Sequence, residues 1–294
     1  MQVSVIINPL AGFFRRAGQG RRYADLARAV LASAGVDADV QLTTHIGHAR
    51  ALAATARAHG AELVFAWGGD GTVNEVASML AFGNIPLAIV PSGSGNGLAR
   101  ALGIPRRPAA ALRHALAAPA RRIDAGEVAG RLFFNVAGVG FDAHIAAEFS
   151  RAAGHRGFRR YAQIVTRELF TYAPRPCEVT IESAVTAHRA FLLTAANGPQ
   201  WGNGAIVAPE ARIDDGLLDL VSVEAPSRLQ LVGAVPRLFA GTLHKDPIVR
   251  IRRFTEARIS SAAPLLYHYD GEPARSESAD LMVRVHPGAL VIRA

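Results

Sequence analysis

The stretch whose residue types and spacing best suit phosphate chemistry is an octet of glycines around one acid. It reads Gly68-Gly69-Asp70-Gly71-Thr72-Val73-Asn74-Glu75, between an apolar run at 63–67 and a helix predicted over 73–82. A strand that turns on glycines into a helix directs unpaired backbone N–H groups and a partial positive charge at one point, where phosphate binds. Asp70 would oppose a bare phosphate, but Mg²⁺ takes carboxylate and phosphate oxygens together. This first glycine loop, residues 68–75, therefore favours a nucleotide phosphate site.

An ordinary strand-to-helix connection is the alternative interpretation of the octet. Thr72 and Glu75 have the spacing of a capping box, with a threonine cap and a glutamate three residues later. A capping box accounts for only these two residues and leaves the glycines around Asp70 without a purpose.

A second glycine loop, residues 91–97, follows a strand predicted over 86–90. It reads Pro91-Ser92-Gly93-Ser94-Gly95-Asn96-Gly97. Its glycines let a backbone approach a ligand closely, while Ser94 and Asn96 offer hydrogen bonds. Alone it could equally be a mobile connector. Because it follows a neighbouring strand end, we predict that it forms a second wall of the same site.

Two acidic turns lie late in the chain. Asp270 and Glu272 bracket Gly271, and a hydroxyl that attacks a phosphate needs a carboxylate within hydrogen-bond reach. Spacing alone favours a hairpin turn at Asp-Gly. Residues 214–216, Asp-Asp-Gly, are either a solvated turn or an oxygen-rich cation site. Asp124 is predicted to end a strand, and an ion pair with a preceding arginine is its simplest role.

Strand and helix patterns alternate over the first 125 residues. Strands are predicted at 3–7, 36–42, 63–67 and 86–90, and helices at 20–34, 47–59 and 73–82, which predicts βαβ units and a parallel sheet. After Asp124 short strand-like runs dominate, interrupted by helices predicted at 141–153, 159–172 and 228–240. We therefore expect an α/β half followed by a β-rich half.

Composition narrows the partners. The net charge is +8, from 32 basic and 24 acidic residues, and Lys245 is the only lysine, so no lysine serves a glycine-rich loop as in Walker-type sites. A basic chain suits nucleic acid or an anionic bilayer, and the absence of aromatic interleaving or zinc spacing disfavours nucleic acid. The cluster Arg151, His155, Arg156, Arg159 and Arg160 suits lipid head groups or is a solvated helix end.

The location follows from three absences. No apolar run reaches the roughly 18 residues of a spanning helix. The first residues lack a basic segment and resemble a strand, so we expect no signal peptide. Cys177 is the only cysteine, which excludes an internal disulfide and favours the cytoplasm.

The chain resembles the catalytic-domain family of diacylglycerol and sphingosine kinases. The motifs that carry the resemblance come in the family's order along most of the chain. They are Asn8-Pro9, residues 68–75, residues 91–100, Asn197-Gly198-Pro199 with Ala208-Pro209-Glu210-Ala211 and Asp214-Asp215-Gly216, and Asp270-Gly271-Glu272. NAD kinases share the first glycine loop, whereas its combination with the second loop and the late acids is specific.

The resemblance implies an NAD kinase-like α/β domain that binds ATP, a β-sandwich-like domain for the lipid, and an active cleft between them. The boundaries would be 1–124, with 287–294 as an added segment, and 125–286. The implied ATP contacts are Asn8, Thr43, Gly68, Gly69, Asp70, Gly71, Thr72, Asn74, Glu75, Gly93, Ser94 and Asn96.

The remaining roles are implied by the same match. Asp70 and Asp124 match acids near the catalytic Mg²⁺. Asp215 matches a second metal position, with main-chain oxygens of Arg212 and Leu217. Glu272 matches the proton acceptor, with Asp270 beside it.

One departure concerns the phosphate-side cation. The family often has a lysine just after the first Asn-Pro turn, and here Phe13-Phe14-Arg15-Arg16 stands there, so Arg15 or Arg16 would supply the charge. An NAD kinase and a non-catalytic nucleotide or lipid sensor stay open as alternatives.

We expect a cytoplasmic lipid kinase that works peripherally on the inner face of the membrane, on a lipid substrate at the surface of an anionic bilayer and without nucleic acid. Exposed strand edges would allow a homodimer, although no residue pattern indicates one.

Overall fold

The structure is a computed structural model that describes residues 1–12, 18–151, 158–169, 171–224 and 227–294. For residues 158–161 it describes the backbone only. The chain divides into two compact units. Unit 1 comprises Met1–Ile123 with Gly288–Ala294, and unit 2 comprises Asp124–Pro287.

Unit 1 alternates strands and helices. In chain order its elements are β1 (Val3–Ile7), α1 (Gln19–Ser33), β2 (Ala38–Leu42), α2 (His48–Ala58), β3 (Leu63–Gly68), α3 (Asp70–Leu80), β4 (Leu87–Pro91), α4 (Gly97–Ala101), α5 (Pro108–Ala117) and the start of β5 (Ala120–Val128).

The sheet of unit 1 is parallel. Its order is β2-β1-β3-β4, and Leu87 of β4 pairs with Ile292 near the end of the chain. Both β1 and β3 are buried along their whole length, as expected for strands covered by helices on both faces. The carboxyl ends of β3 and β4 are neighbours, so the two glycine loops start side by side.

Unit 2 consists mainly of antiparallel strands. Its elements are the end of β5, β6 (Arg131–Phe133), β7 (Val136–Gly140), α6 (Phe141–Arg151), α7 (Phe158–Leu169), β8 (Cys177–Ile181), β9 (Ala184–His188), β10 (Ala190–Ala196), β11 (Gln200–Gly202), β12 (Ala205–Ile206), β13 (Leu218–Glu224), α8 (Arg228–Phe239), a short 3₁₀ helix (Leu243–Lys245), β14 (Val249–Phe254), β15 (Glu256–Ser260), β16 (Leu266–Tyr269), β17 (Glu272–Arg275) and β18 (Asp280–Arg293), whose last residues belong to unit 1.

Two sheets enclose the core of unit 2. One has the order β14-β13-β10-β7-β16-β17, and the other contains β18, β15, β8 and β9. Residues from both sheets form one buried cluster, which includes Leu193, Leu220, Tyr267, Val179 and Leu281. A second cluster lies on the other face of the first sheet, where α8 packs. Unit 2 is therefore a β-sandwich with helices on one outer face.

The predicted fold class, an α/β domain followed by a β-sandwich-like domain, is confirmed. Two local predictions were wrong. Helix α3 begins at Asp70 rather than at residue 73, and Asp124 lies inside β5 rather than at its end. Residues Asp280–Arg293 form one long strand, β18.

Candidate functional site

The two glycine loops of unit 1 touch through their backbones. A Cβ on Gly93 would lie 2.5 Å from the Cα of Gly69, and one on Gly69 would lie 3.2 Å from the Cα of Gly93. Real Cβ atoms do not approach a backbone atom within 3.0 Å without a shift. The prediction that both loops form one site rests on this contact, since no side chain fits between them.

Asp70 ties the second loop to the first. It is the first residue of α3, and its carboxylate accepts the backbone N–H groups of Asn96 at 2.8 Å and Gly97 at 2.7 Å. A Cβ on Gly95 would lie 2.8 Å from Oδ2 of Asp70. A carboxylate at the start of a helix, beside two glycine loops, is a ligand type that suits Mg²⁺.

Polar side chains fix the backbone on either side of this contact. The amide nitrogen of Asn8 donates to Oγ1 of Thr72 at 3.0 Å, and a Cβ on Gly68 would lie 2.4 Å from Cβ of Thr72. The side chain of Asn96 accepts from the N–H of Gly93 at 2.9 Å and donates to its carbonyl at 2.8 Å. Predicted ligands thus hold the loops in shape.

The other predicted nucleotide contacts lie around the same strand ends. Glu75 accepts the N–H of Gly47 at 3.0 Å and of Arg50 at 3.3 Å, so it caps α2 and forms no capping box with Thr72. Gly71 is in the first turn of α3, and Ser94 lies in the second loop. Thr43 and Asn74 are buried.

The late Asp270-Gly271 pair forms the two-residue loop of the β16–β17 hairpin, in which Tyr269 pairs with Glu272. Both loop residues have positive φ, 46° and 86°, as a type I′ turn requires. The Asp270 carboxylate accepts three backbone N–H groups, from Phe134, Asn135 and Val136, at 2.9, 3.0 and 3.1 Å. Glu272, by contrast, is exposed at the start of β17.

A buried histidine and acid below this hairpin escaped sequence reasoning. Nε2 of His268 lies 3.1 Å from Oδ2 of Asp142, which also accepts from the hydroxyl of Thr194 at 2.7 Å. Nδ1 of His268 accepts the N–H of Gly271 at 3.4 Å, so the ring proton resides on Nε2 and faces Asp142. His268 and Thr194 are almost completely buried, and Gly138 makes room for the carboxylate.

The predicted second metal position lies in unit 2, in the turn before β13. Oδ1 of Asp215 accepts the N–H of Leu217 at 3.2 Å, and Arg212 lies 3.8 Å from Asp214. Buried Asp124 accepts the N–H of Gly216 at 2.7 Å.

Electrostatics mark this turn as acidic. Burial raises the pKa of Asp219, and the charges of Asp215 and Glu210 raise it further, against the lowering effect of Arg253. Oxygen donors of this kind suit a hard cation such as Mg²⁺.

Within the described ranges, no group of three or more histidine, cysteine, aspartate or glutamate side chains could hold a metal ion. Asp70 belongs to unit 1 and Asp124 to unit 2, so their shared role around one Mg²⁺ stays a prediction. Arg15, Arg16, His155 and Arg156 lie outside the described residues. Arg151 is described and pairs with Glu148 at 3.0 Å. No helix in the described part of the chain is long and apolar enough to cross a membrane.

Two family models match the chain one after the other. Residues 2–128 match the diacylglycerol kinase catalytic domain, and residues 135–294 match the YegS C-terminal NAD kinase beta sandwich-like domain. The resemblance inferred from the glycine loops and late acids is thereby confirmed.

Similar proteins extend over nearly the whole chain. A probable lipid kinase YegS-like of Pseudomonas fluorescens is 35% identical over 271 residues, which cover 88% of this chain and 86% of the relative. One from Pseudomonas aeruginosa is 36% identical over 268 residues, covering 87% and 84%.

A solved structure supports the fold alone. The crystal structure of a proposed diacylglycerol kinase from Bacillus anthracis str. Sterne superposes with a TM-score of 0.80 at 23% identity, over 99% of this chain and 94% of that one. From the two family models and the full-length relatives, we conclude that this chain belongs to the YegS-like lipid kinase family.

Proposed function

We propose that this chain is an ATP-dependent lipid kinase that transfers the γ-phosphoryl group of ATP to a hydroxyl of a diacylglycerol-like or sphingoid lipid. The observation that carries the proposal is the backbone contact between Gly69 and Gly93, which Asp70 holds in place. The names of the Pseudomonas relatives, probable lipid kinases, support the substrate class.

The nucleotide would bind at the two glycine loops. The first N–H groups of α3 have no partner within the helix, and a triphosphate suits them because the helix dipole favours an anion there. Glycines at positions 69, 93 and 95 keep side chains out of the loop contact. Asn8, Thr43 and the second loop would contact the rest of ATP.

Mg²⁺, when bound, neutralises charge on the phosphates during transfer. Asp70 would hold this ion, with Asp124 as the second acid. Asp215, with main-chain oxygens of Arg212 and Leu217, would hold a further ion in unit 2.

Glu272 would accept the proton of the attacking hydroxyl. The hydroxyl oxygen forms a bond to the γ-phosphorus, the bond from that phosphorus to the bridging β–γ oxygen breaks, and ADP leaves with the electron pair. Asp270 would position rather than accept, because three backbone N–H groups already occupy its carboxylate. His268 would steady the same hairpin through Gly271.

The lipid substrate places the reaction at a membrane surface. We propose a cytoplasmic enzyme that works on the inner face of the bilayer.

Labelled ATP tests the proposal. The purified chain is incubated with γ-³²P-ATP and Mg²⁺ and with either total lipid extract or NAD, and the products are separated and identified by mass spectrometry. We expect a labelled phospholipid. Labelled NADP would instead identify an NAD kinase, and ATP binding without either product would identify a sensor; both results would overturn the proposal.

Glu272→Gln tests the base. It should leave ATP affinity within about twofold of the wild type and lower lipid phosphorylation by about 100-fold or more, within the range of general base catalysis. Glu256→Gln, an exposed glutamate of β15, is the matched control and should retain activity. Full turnover by Glu272→Gln would refute this role.

A further inference from the structure

Helix α8 exposes an apolar face. Its inward face consists of Leu231, Ala234 and Leu238, which pack against the cluster on the outer face of the sandwich. Its outward side chains are apolar as well, since Leu229, Val232, Val235 and Phe239 are 85%, 53%, 45% and 47% exposed. A surface helix normally presents polar residues to water.

This concentration is local. Among the described residues, four of the eleven exposed large apolar side chains lie on this one helix. The helix is firmly started, because Ser227 and Gln230 form a reciprocal capping box. The exposed side chains therefore stand on a formed helix, and contiguous apolar surface of this kind marks an interaction site.

The charged residues in and directly after the helix are mostly cations. No acidic residue occurs between Glu224 and Asp246, whereas Arg228, Arg237 and Lys245 fall within that stretch. Asp246 itself is buried and accepts from Arg237 at 2.7 Å. Asp246 compensates Arg237, so Arg228 and Lys245 leave this stretch with a net positive charge, which is complementary to an anionic partner.

A bilayer fits this combination better than a second copy of the chain. A symmetric contact through α8 would bring together the net positive charge of this stretch from both copies. An anionic bilayer accepts apolar side chains at the boundary of its acyl chains, and its phosphates attract a net positive charge. With 12 residues, α8 would lie in the plane of the interface rather than cross it.

We infer that α8 docks this chain onto anionic bilayers, with Leu229, Val232, Val235 and Phe239 inserted at the head-group boundary. The benefit of docking rests on the proposed function, since a lipid substrate resides in the bilayer. The binding itself depends only on the surface of α8 and can be measured without any reaction.

Vesicle sedimentation tests this inference. The full chain is mixed with vesicles of equal parts phosphatidylcholine and phosphatidylglycerol, and with vesicles of phosphatidylcholine alone. We expect binding to the anionic vesicles that weakens as salt rises. Leu229→Ser combined with Phe239→Ser should lower the partition coefficient by roughly 10-fold or more, because two large apolar side chains no longer insert.

The matched control removes two exposed apolar side chains elsewhere in unit 2. Val185→Ser combined with Met282→Ser should bind vesicles as the wild type does, because neither residue lies on α8. Circular dichroism and thermal melting of both double variants should match the wild type, since all four side chains are exposed.

Three results would overturn the inference: wild-type protein that ignores anionic vesicles, an α8 variant that binds as tightly as the wild type, or a dimer in light scattering that the α8 variant converts to a monomer. Failure of the proposed kinase activity can be distinguished from failure of the docking inference. Vesicle binding that depends on α8 without any phospholipid product would uphold docking and refute the kinase, and labelled phospholipid with vesicle binding independent of α8 would do the reverse.

Discussion

The glycine loops of unit 1 and the acidic hairpin of unit 2 both use an aspartate to organise backbone, yet they are built differently. Among the described contacts, Asp70 accepts two backbone N–H groups and Asp270 accepts three. Around Asp70 the contact is glycine against glycine, with no room for a side chain. Around Asp270 the hairpin rests on a buried side-chain network of His268, Asp142 and Thr194.

This difference shows where each region is vulnerable. The glycine loops of unit 1 should tolerate the exchange of one polar side chain for another better than the addition of a Cβ atom to a glycine. Unit 2 should tolerate small volume changes better than the loss of one hydrogen-bonding partner, because the partners that remain would be buried and unsatisfied.

The largest loss of ATP affinity and turnover should come from Gly93→Ala. The new Cβ would lie 2.5 Å from the Cα of Gly69, so one of the two loops must move. We expect ATP affinity and turnover to fall by about 100-fold or more, as displacements near 1 Å do in positioned sites. Isothermal titration with Mg²⁺·ATP measures the loss.

Gly35→Ala is the control for this substitution. Gly35 has φ of 71° and open space around it, so alanine there strains the backbone without touching the loops. It should lower the free energy of unfolding by about 1 kcal/mol and leave ATP affinity unchanged. Equal ATP affinity in the Gly93 and Gly35 variants would contradict the backbone contact.

Asp270→Asn should have the second largest effect, a loss of stability in unit 2. An amide offers one acceptor oxygen and turns its NH₂ toward a backbone N–H, so we expect unit 2 to lose about 3 kcal/mol of unfolding free energy. The two tryptophans, Trp67 in unit 1 and Trp201 in unit 2, allow each unit to be followed separately in urea after Trp67→Phe or Trp201→Phe. Asp70→Asn disturbs two of the described backbone hydrogen bonds rather than three and should cost less; the reverse order would refute the comparison.

His268→Ala should cost unit 2 about 2 kcal/mol, since Asp142 would keep the hydroxyl of Thr194 but lose the imidazole N–H. Hydrogen exchange should rise at Gly271 and its hairpin neighbours, while exchange in unit 1 stays unchanged. Protection at Gly271 equal to that of the wild type would show that the hairpin does not depend on His268.

The smallest loss of unfolding free energy should come from Glu127→Gln. Glu127 lies neither in the glycine loops nor in the acidic hairpin. Burial opposes its ionisation, but hydrogen bonds from His286 and Arg284 outweigh burial and hold its pKa below the ordinary value of 4.5. Glu127→Gln should cost about 1 kcal/mol at pH 7. Because the folded-state pKa is lowered, the difference from the wild type should persist above pH 4.5 and disappear as pH falls through that lower pKa. A difference that grows in acid would contradict this sign.

Sequence patterns predicted those elements that depend on residues close together along the chain. Apolar runs and glycine turns located β1, β3 and β4, and glycines in both loops pointed to one site. The start of α3 was missed because Glu75 caps α2 over a separation of 28 residues instead of serving its own helix.

The buried network of His268, Asp142 and Thr194 could not be predicted from the sequence either, because its members are far apart along the chain. His268 and Asp142 are 126 positions apart, and neither stands in a motif. Asp270 was recognised as an important acid, but its three backbone donors come from a segment more than 130 residues earlier. Spacing along the chain cannot distinguish an acid held by backbone from one that faces a substrate.

The most direct test of the central claim measures Mg²⁺·ATP affinity and phosphoryl transfer to lipid side by side in Gly93→Ala and Glu272→Gln. The account predicts that Gly93→Ala loses both, whereas Glu272→Gln binds ATP like the wild type and transfers almost no phosphate. Normal ATP affinity in Gly93→Ala, or normal transfer by Glu272→Gln, would contradict it.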